Sequence, residues 1–189
     1  MARVACLLDE GFDDFELREA VKVLAREGHL VDIIGMEEGE VLHGIRGEVE
    51  VRVTAHINKV LPQHYSAVLV PGGSSAASLC EDPRFYKFVN HMEALGRSIF
   101  AIGEGSKLLR HAGILREGRS LTAAPPLQDW LRETGAEVLH QPVVVDGNWV
   151  TARQTTDLPR FCELMVRVLE GNHPELPGPN RSREEVPRY

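Results

Sequence analysis

The stretch Ile99–Leu109, IFAIGEGSKLL, constrains the fold more than any other part of the chain. Four apolar residues, Ile99, Phe100, Ala101 and Ile102, read as a buried strand, and a helix begins at Ser106. Only Gly103-Glu104-Gly105 stands between them. A strand-to-helix turn this short needs small residues, because strand, turn and helix backbones approach one another closely there. In α/β enzymes such a turn lifts one side chain above the carboxyl edge of the sheet, beside a helix N-terminus that favours an anion. Here the turn has that shape but carries no Ser or Cys. With no side chain to attack from, covalent chemistry at Gly103 is excluded.

The rest of the chain supplies a sheet to carry this turn. Arg3 to Leu8 is a short apolar run that ends at Asp9-Glu10-Gly11, so it reads as a first strand and loop. Phe15, Leu17, Ala20, Val21 and Leu24 then form one apolar helical stripe, stopped by Gly28, and Leu30 to Ile34 is a second strand. Strand, helix and strand in this order are the βαβ pattern of a parallel sheet. Glu40 to Val53 alternates apolar and polar residues around Gly44 and Gly47, which predicts a hairpin excursion with one wet face. Ala67 to Val70 is a third strand, ending in Pro71-Gly72-Gly73-Ser74-Ser75. The glycine pair frees backbone N–H groups to face a site, and Ser74 or Ser75 is expected to cap the next helix.

Asp82-Pro83 starts a helix whose inner face is Phe85, Phe88, Val89 and Met92. Beyond the central turn, Ser120 to Ala124 reads as a strand and Leu127 to Thr134 as a helix. Val143 to Asp146 and Trp149 to Ala152 flank Gly147-Asn148 as a hairpin, and Asp157 to Leu169 is a closing amphipathic helix. Residues 1–171 therefore form one domain. Residues 172–189 are rich in proline and charge and have too few apolar residues for a core. They are expected either to lack fixed structure or to strap onto the body or a neighbour through Leu176, Val186 and Tyr189.

Composition narrows the function. A net charge of -7 argues against a nucleic-acid partner, and no apolar run is long enough to span a membrane. Three cysteines, Cys6, Cys80 and Cys162, have no metal-like spacing, and the simplest setting is the reducing cytoplasm. Eight histidines form no metal motif, so neither metal nor cofactor is expected.

Four segments in order resemble the ThiJ/PfpI superfamily, related to class I glutamine amidotransferases. GFDDFELREAVKVLAREGH looks like its first acidic loop and helix, and VLVPGG like its glycine loop. FAIGEGSKLLRHAGIL looks like its nucleophile elbow, where the family reads AICHGP or AICAGP. AEVLHQPVVVDGNWVTARQTTDLPRF is similar to its closing hairpin and helix. The resemblance implies a flavodoxin-like three-layer α/β/α sandwich with a mainly parallel central sheet. It also implies self-association as a homodimer or hexamer. The family's nucleophilic cysteine falls on Gly103, its histidine on Glu104 and its interface acid on Ala77, so that catalytic set is absent. Glu16 matches the glutamate that hydrogen-bonds the cysteine, and Gly72 and Gly73 match the glycine loop that faces the site.

The candidate site is therefore Glu16, Gly72, Gly73, Gly103, Glu104, Gly105 and Ser106. Glu104 has two readings: a first-turn helix glutamate satisfied by backbone N–H groups, or half of a Glu16–Glu104 carboxylate pair sharing a proton. Asp13 and Asp14 read as a solvated loop with capping duty. Cys6 and Cys162 read as core, leaving Cys80 as the thiol nearest the site. The leading functional expectation is a non-proteolytic homologue that binds a small polar metabolite or serves a stress-protective role. The alternative is a lyase- or hydratase-like enzyme using the two glutamates on a small carbonyl compound. A protease or glyoxalase label would rest on the family alone.

Overall fold

In the central strands the side chains alternate between two cores, and this alternation sets the layering. The computed structural model describes residues 1–172; the strap expected from the C-terminal segment falls on residues outside these. In β1 (Arg3–Leu7), Ala5 and Leu7 enter one core while Val4 and Cys6 enter the other. The same alternation holds in β6 and β7, where every residue of both strands is buried. Strands buried on both faces need helices on both sides, and the chain supplies them.

In chain order, β1 is followed by α1 (Asp14–Arg26), β2 (Leu30–Gly35), the hairpin β3 (Val41–His43) and β4 (Glu50–Arg52), and β5 (Ala55–His56). Next come β6 (Ala67–Val70), α2 (Ser75–Glu81), α3 (Pro83–Ala94), β7 (Ser98–Ile102) and α4 (Ser106–His111). The chain continues through β8 (Ser120–Leu121), α5 (Gln128–Arg132), β9 (Glu137–Val138), β10 (Val143–Asp146), β11 (Trp149–Ala152) and α6 (Leu158–Leu169). The seven-stranded main sheet has the order β10-β11-β7-β6-β1-β2-β5, parallel except for β10. Helices α1 and α6 cover one face, and α2, α3, α4 and α5 supply the core of the other. Phe161 of α6 is fully buried, which contributes roughly 2–3 kcal/mol. The three-layer α/β/α sandwich and the β3–β4 hairpin match expectation.

Strand order reverses between β1 and β6, because β1 leads to β2 on one side and β6 lies on the other. In open α/β sheets a crevice forms above such a reversal, at the carboxyl ends of the strands. Here the crevice walls are laced together: Asp13 N–H donates to the Gly72 carbonyl at 3.0 Å, and Phe12 forms a bridge with Gly73.

Several expectations are corrected. The run Ser120–Ala124 is a strand only at Ser120–Leu121, and β8 pairs with β9 outside the main sheet. It ends early because Thr122 N–H turns to the Thr151 hydroxyl at 2.9 Å. The following helix is shortened to Gln128–Arg132, with Pro125-Pro126 confined to a tighter 3₁₀ turn before it. Ser74 sits at the start of α2, but no side-chain bond caps that helix; its hydroxyl donates to the Gly11 carbonyl, and Ser75 Oγ accepts from Asp9 N–H.

Asp14 is the largest correction. It is fully buried, not solvated, and its carboxylate accepts the backbone N–H groups of Arg46, Glu48 and Val49 at 2.8 Å each. Burial alone would raise its pKa, but these three donors hold it below the ordinary value. The contact pins the β3–β4 turn to the start of α1. Asp14→Ala would leave three amides of that turn without their acceptor. We expect a loss of about 3 kcal/mol or more in urea unfolding, with far-ultraviolet dichroism otherwise retained.

Candidate functional site

Three loops meet above the strand reversal: the β1–α1 loop, the glycine loop after β6, and the elbow after β7. Asp13 caps α1 by accepting from Phe15 and Glu16 N–H at 3.0 and 3.1 Å. This fixes the first turn so that Glu16 points inward, where it is 4% exposed. Its Oε2 accepts the Gly72 N–H at 2.6 Å, and its Oε1 accepts the Thr155 hydroxyl at 3.4 Å. A Cβ at Gly72 would stand 2.8 Å from Glu16 Oε2, so only glycine lets the carboxyl approach this closely. The Gly72 amide is therefore spent on Glu16. It does not face the crevice as the free donor expected of the glycine pair.

The elbow keeps the geometry of a nucleophile seat without the nucleophile. Gly103 has φ +53°, the left-handed region. A Cβ built there would lie 3.5 Å from Glu16 Oε1 and 3.6 Å from the Arg153 carbonyl, both ordinary contacts. A side chain at Gly103 would thus stand directly over the Glu16 carboxyl. Gly105 is a spacer, since a Cβ there would be driven into the Val70 carbonyl. Ser106 is fully buried at the head of α4, and its hydroxyl has no partner among the described residues.

Burial pushes the Glu16 carboxyl up to about 7, against the Gly72 N–H, which favours the ionised form. The Asp13 charge raises it further; the Thr155 hydroxyl lowers it, and the Glu104 charge is the smallest of these influences. Glu104 itself is turned to Lys107 Nζ at 3.5 Å, with its side chain 43% exposed. Its partner is thus a lysine one turn on, rather than the backbone amides expected of a first-turn glutamate. Among the described residues no hydrogen bond joins Glu104 to Glu16, so the expected proton-sharing pair is not formed in this arrangement.

The remaining candidates lie apart. Cys80 shares a cleft of about 360 Å³ with Ala77, Lys107, His111 and Trp130. Burial pushes its thiol up to about 11 despite the pull of Lys107, so it is not a ready thiolate. Cys6 and Cys162 are buried, as expected of core residues. His111 lies between the rings of Tyr86 and Trp130, with centroids 6.3 and 6.1 Å away. Among the described residues no group of three His, Cys, Asp or Glu could hold a metal ion, and no helix is long and apolar enough to cross a membrane. Thr155 and Lys107 were missed by the sequence reading. Thr155 reaches Glu16 from 139 positions away, which no local spacing encodes, whereas Lys107 pairs with Glu104 at the i,i+3 spacing of a helical turn, a signal the sequence does carry.

Comparison with known proteins is decisive at this point, because the description of the DJ-1/PfpI family matches residues 2–168. The chain belongs to that family. It is similar to protein/nucleic acid deglycase 2 of Escherichia coli, with 36% identity over 168 residues, 88% of this chain and 97% of that protein. It is also similar to general stress protein 18 of Bacillus subtilis, with 33% identity over 169 residues, 89% and 98% of the two chains. Among solved structures, a two-domain protein of Anabaena variabilis with DJ-1/ThiJ/PfpI-like and ferritin-like domains matches at TM-score 0.87 and 25% identity. That match covers 93% of this chain and 50% of the other. The flavodoxin-like fold of the family accounts for the sheet order and for the site above it.

The raised Glu16 pKa has a stability consequence. Between the unfolded value near 4.5 and the folded value near 7, the native state holds a proton that the unfolded state has lost. Stability conferred by the neutral carboxyl is therefore present at low pH and lost as pH rises through this window. The loss amounts to about 3 kcal/mol. Glu16→Gln should remove this dependence, so that its urea-unfolding profile is flatter than that of the natural chain from pH 4.5 to 7.

Proposed function

We propose that this chain is a stress-protective DJ-1/PfpI homologue that binds a small polar metabolite without bonding to it covalently. The observation that carries this reading is Gly103: the elbow holds its left-handed turn over a buried carboxyl, yet offers no nucleophile. Relatives named a deglycase and a general stress protein support the protective setting. Three unpaired cysteines support a reducing, cytoplasmic one.

A second reading has one observation in its favour. Glu16, with a pKa near 7 and its Oε1 beneath the open Gly103 seat, is poised for proton transfer at neutral pH. In that reading the carboxyl itself is the working group, on a carbonyl substrate of the lyase or hydratase kind, and Glu104 is a charged neighbour.

The two readings are separated by methylglyoxal turnover in the natural protein, Gly103→Cys and Glu16→Gln. We expect the natural protein to be inert and Gly103→Cys to gain turnover. The new side chain should cost about 1–2 kcal/mol of stability from the left-handed backbone alone. Turnover in the natural protein that Glu16→Gln abolishes would overturn the binding role and establish the carboxyl as the catalyst.

A further inference from the structure

The bend between β11 and α6 brings two oxygens to the crevice. Arg153 follows the last residue of β11, and its carbonyl lies 3.6 Å from where a Gly103 Cβ would stand. Two residues on, the Thr155 hydroxyl donates to Glu16 Oε1. At 3.4 Å that bond is near the limit of its reach, so a small movement of the bend ends it. The core does not hold the bend: Gln154 and Thr156 are exposed, and Thr155 is only half-buried. Its backbone is tied where Arg153 N–H donates to the Pro142 carbonyl, and again within the short 3₁₀ turn Thr155–Asp157.

Asp157 stands in the N-cap position of α6, where an aspartate ordinarily accepts a backbone N–H of the first turn. Here it does not. Pro159 removes one such donor, and among the described residues no side-chain bond caps this helix, so the Arg160 N–H is not taken either. The Asp157 Oδ2 instead faces Arg153 Nε at 3.5 Å, back across the bend. The Asp157 side chain is 9% exposed, and the two facing atoms are shielded from water, with no hydrogen bond among the described residues. A carboxylate withdrawn from water and from the helix end it would normally serve is left with one recipient, the charge four residues earlier.

We propose that Asp157 is a positioning residue of the crevice. By gripping Arg153 it closes the bend, which sets the Arg153 carbonyl beside the Gly103 seat and the Thr155 hydroxyl on Glu16. The residues act in sequence: Asp157 on Arg153, the closed bend on Thr155, and Thr155 on the carboxyl. This goes beyond both readings of the crevice and holds whether it binds or catalyses, because Glu16 and the seat serve either.

Titration of the Glu16 carboxyl, followed by its carbon-13 resonance in the full chain, tests this. Thr155→Val removes the hydroxyl and should raise the Glu16 midpoint by roughly 0.5 pH unit, the worth of one weak hydrogen bond. Asp157→Asn should raise it by a similar amount, and the double variant by no more than either alone. The sign is decisive, because loss of the Asp157 charge acting directly would favour the ionised carboxyl and lower the midpoint. Asp13 and Glu104, the other charges that bear on Glu16, are unchanged in every variant, with Lys107 still beside Glu104. Asp157→Ser retains a capping side chain and takes the place of Asp157→Asn should that variant fold poorly. A midpoint that falls or stays put in a folded Asp157 variant would overturn the proposal. So would Thr155→Val without effect, or additive shifts in the double variant, since Asp157 would then not act through Thr155.

Discussion

The hydrogen bond from Gly72 to Glu16 holds the crevice in its present form. It joins the loop after β6 to the first turn of α1, and it buries a carboxyl at the centre of three loops. Nearby features answer to it. Asp13 caps α1 so that Glu16 faces inward, Gly72 lacks a Cβ so that the approach is possible, and Thr155 reaches over from the turn before α6. The cost is a carboxyl kept largely out of water, which appears as its raised pKa. Proteins retain such costs where they support function.

At the elbow itself the residue is Gly103. The turn, its positive φ and the clearance above Glu16 are all in place, and the side chain is absent. Glu104 does lie in a first turn, as one reading expects, but its charged partner is Lys107 near the surface. The crevice therefore holds one buried carboxyl, Glu16, while that of Glu104 is partly exposed. Fold and family alone do not assign an activity; the side chains at the site decide it.

Much of this was legible in the sequence because it is local. The strand-turn-helix at Ile99–Leu109, the βαβ opening, the β3–β4 hairpin and the Asp82 cap all follow from residue order over a few positions. The errors share a cause. Asp14 looked like a solvated loop residue, yet it accepts amides 32 to 35 positions away. Gly72 looked like a free donor until Glu16, 56 positions distant, took its N–H. Ser120–Ala124 looked like a sheet strand until the Thr151 hydroxyl drew it out of register. Each depends on a long-range partner that neither periodicity nor propensity contains.

The reach of these contacts also bears on how the protein comes to be folded. The Glu16 carboxyl is held by a residue 56 positions away and by another 139 positions away. Between them the chain must lay down β6, β7 and β11 in order. Non-local pairings of this kind close late, because their loop entropy is met before any contact rewards it. The crevice thus draws on residues from across the chain, and a chain paused with only its first βαβ unit in place has no such crevice at all.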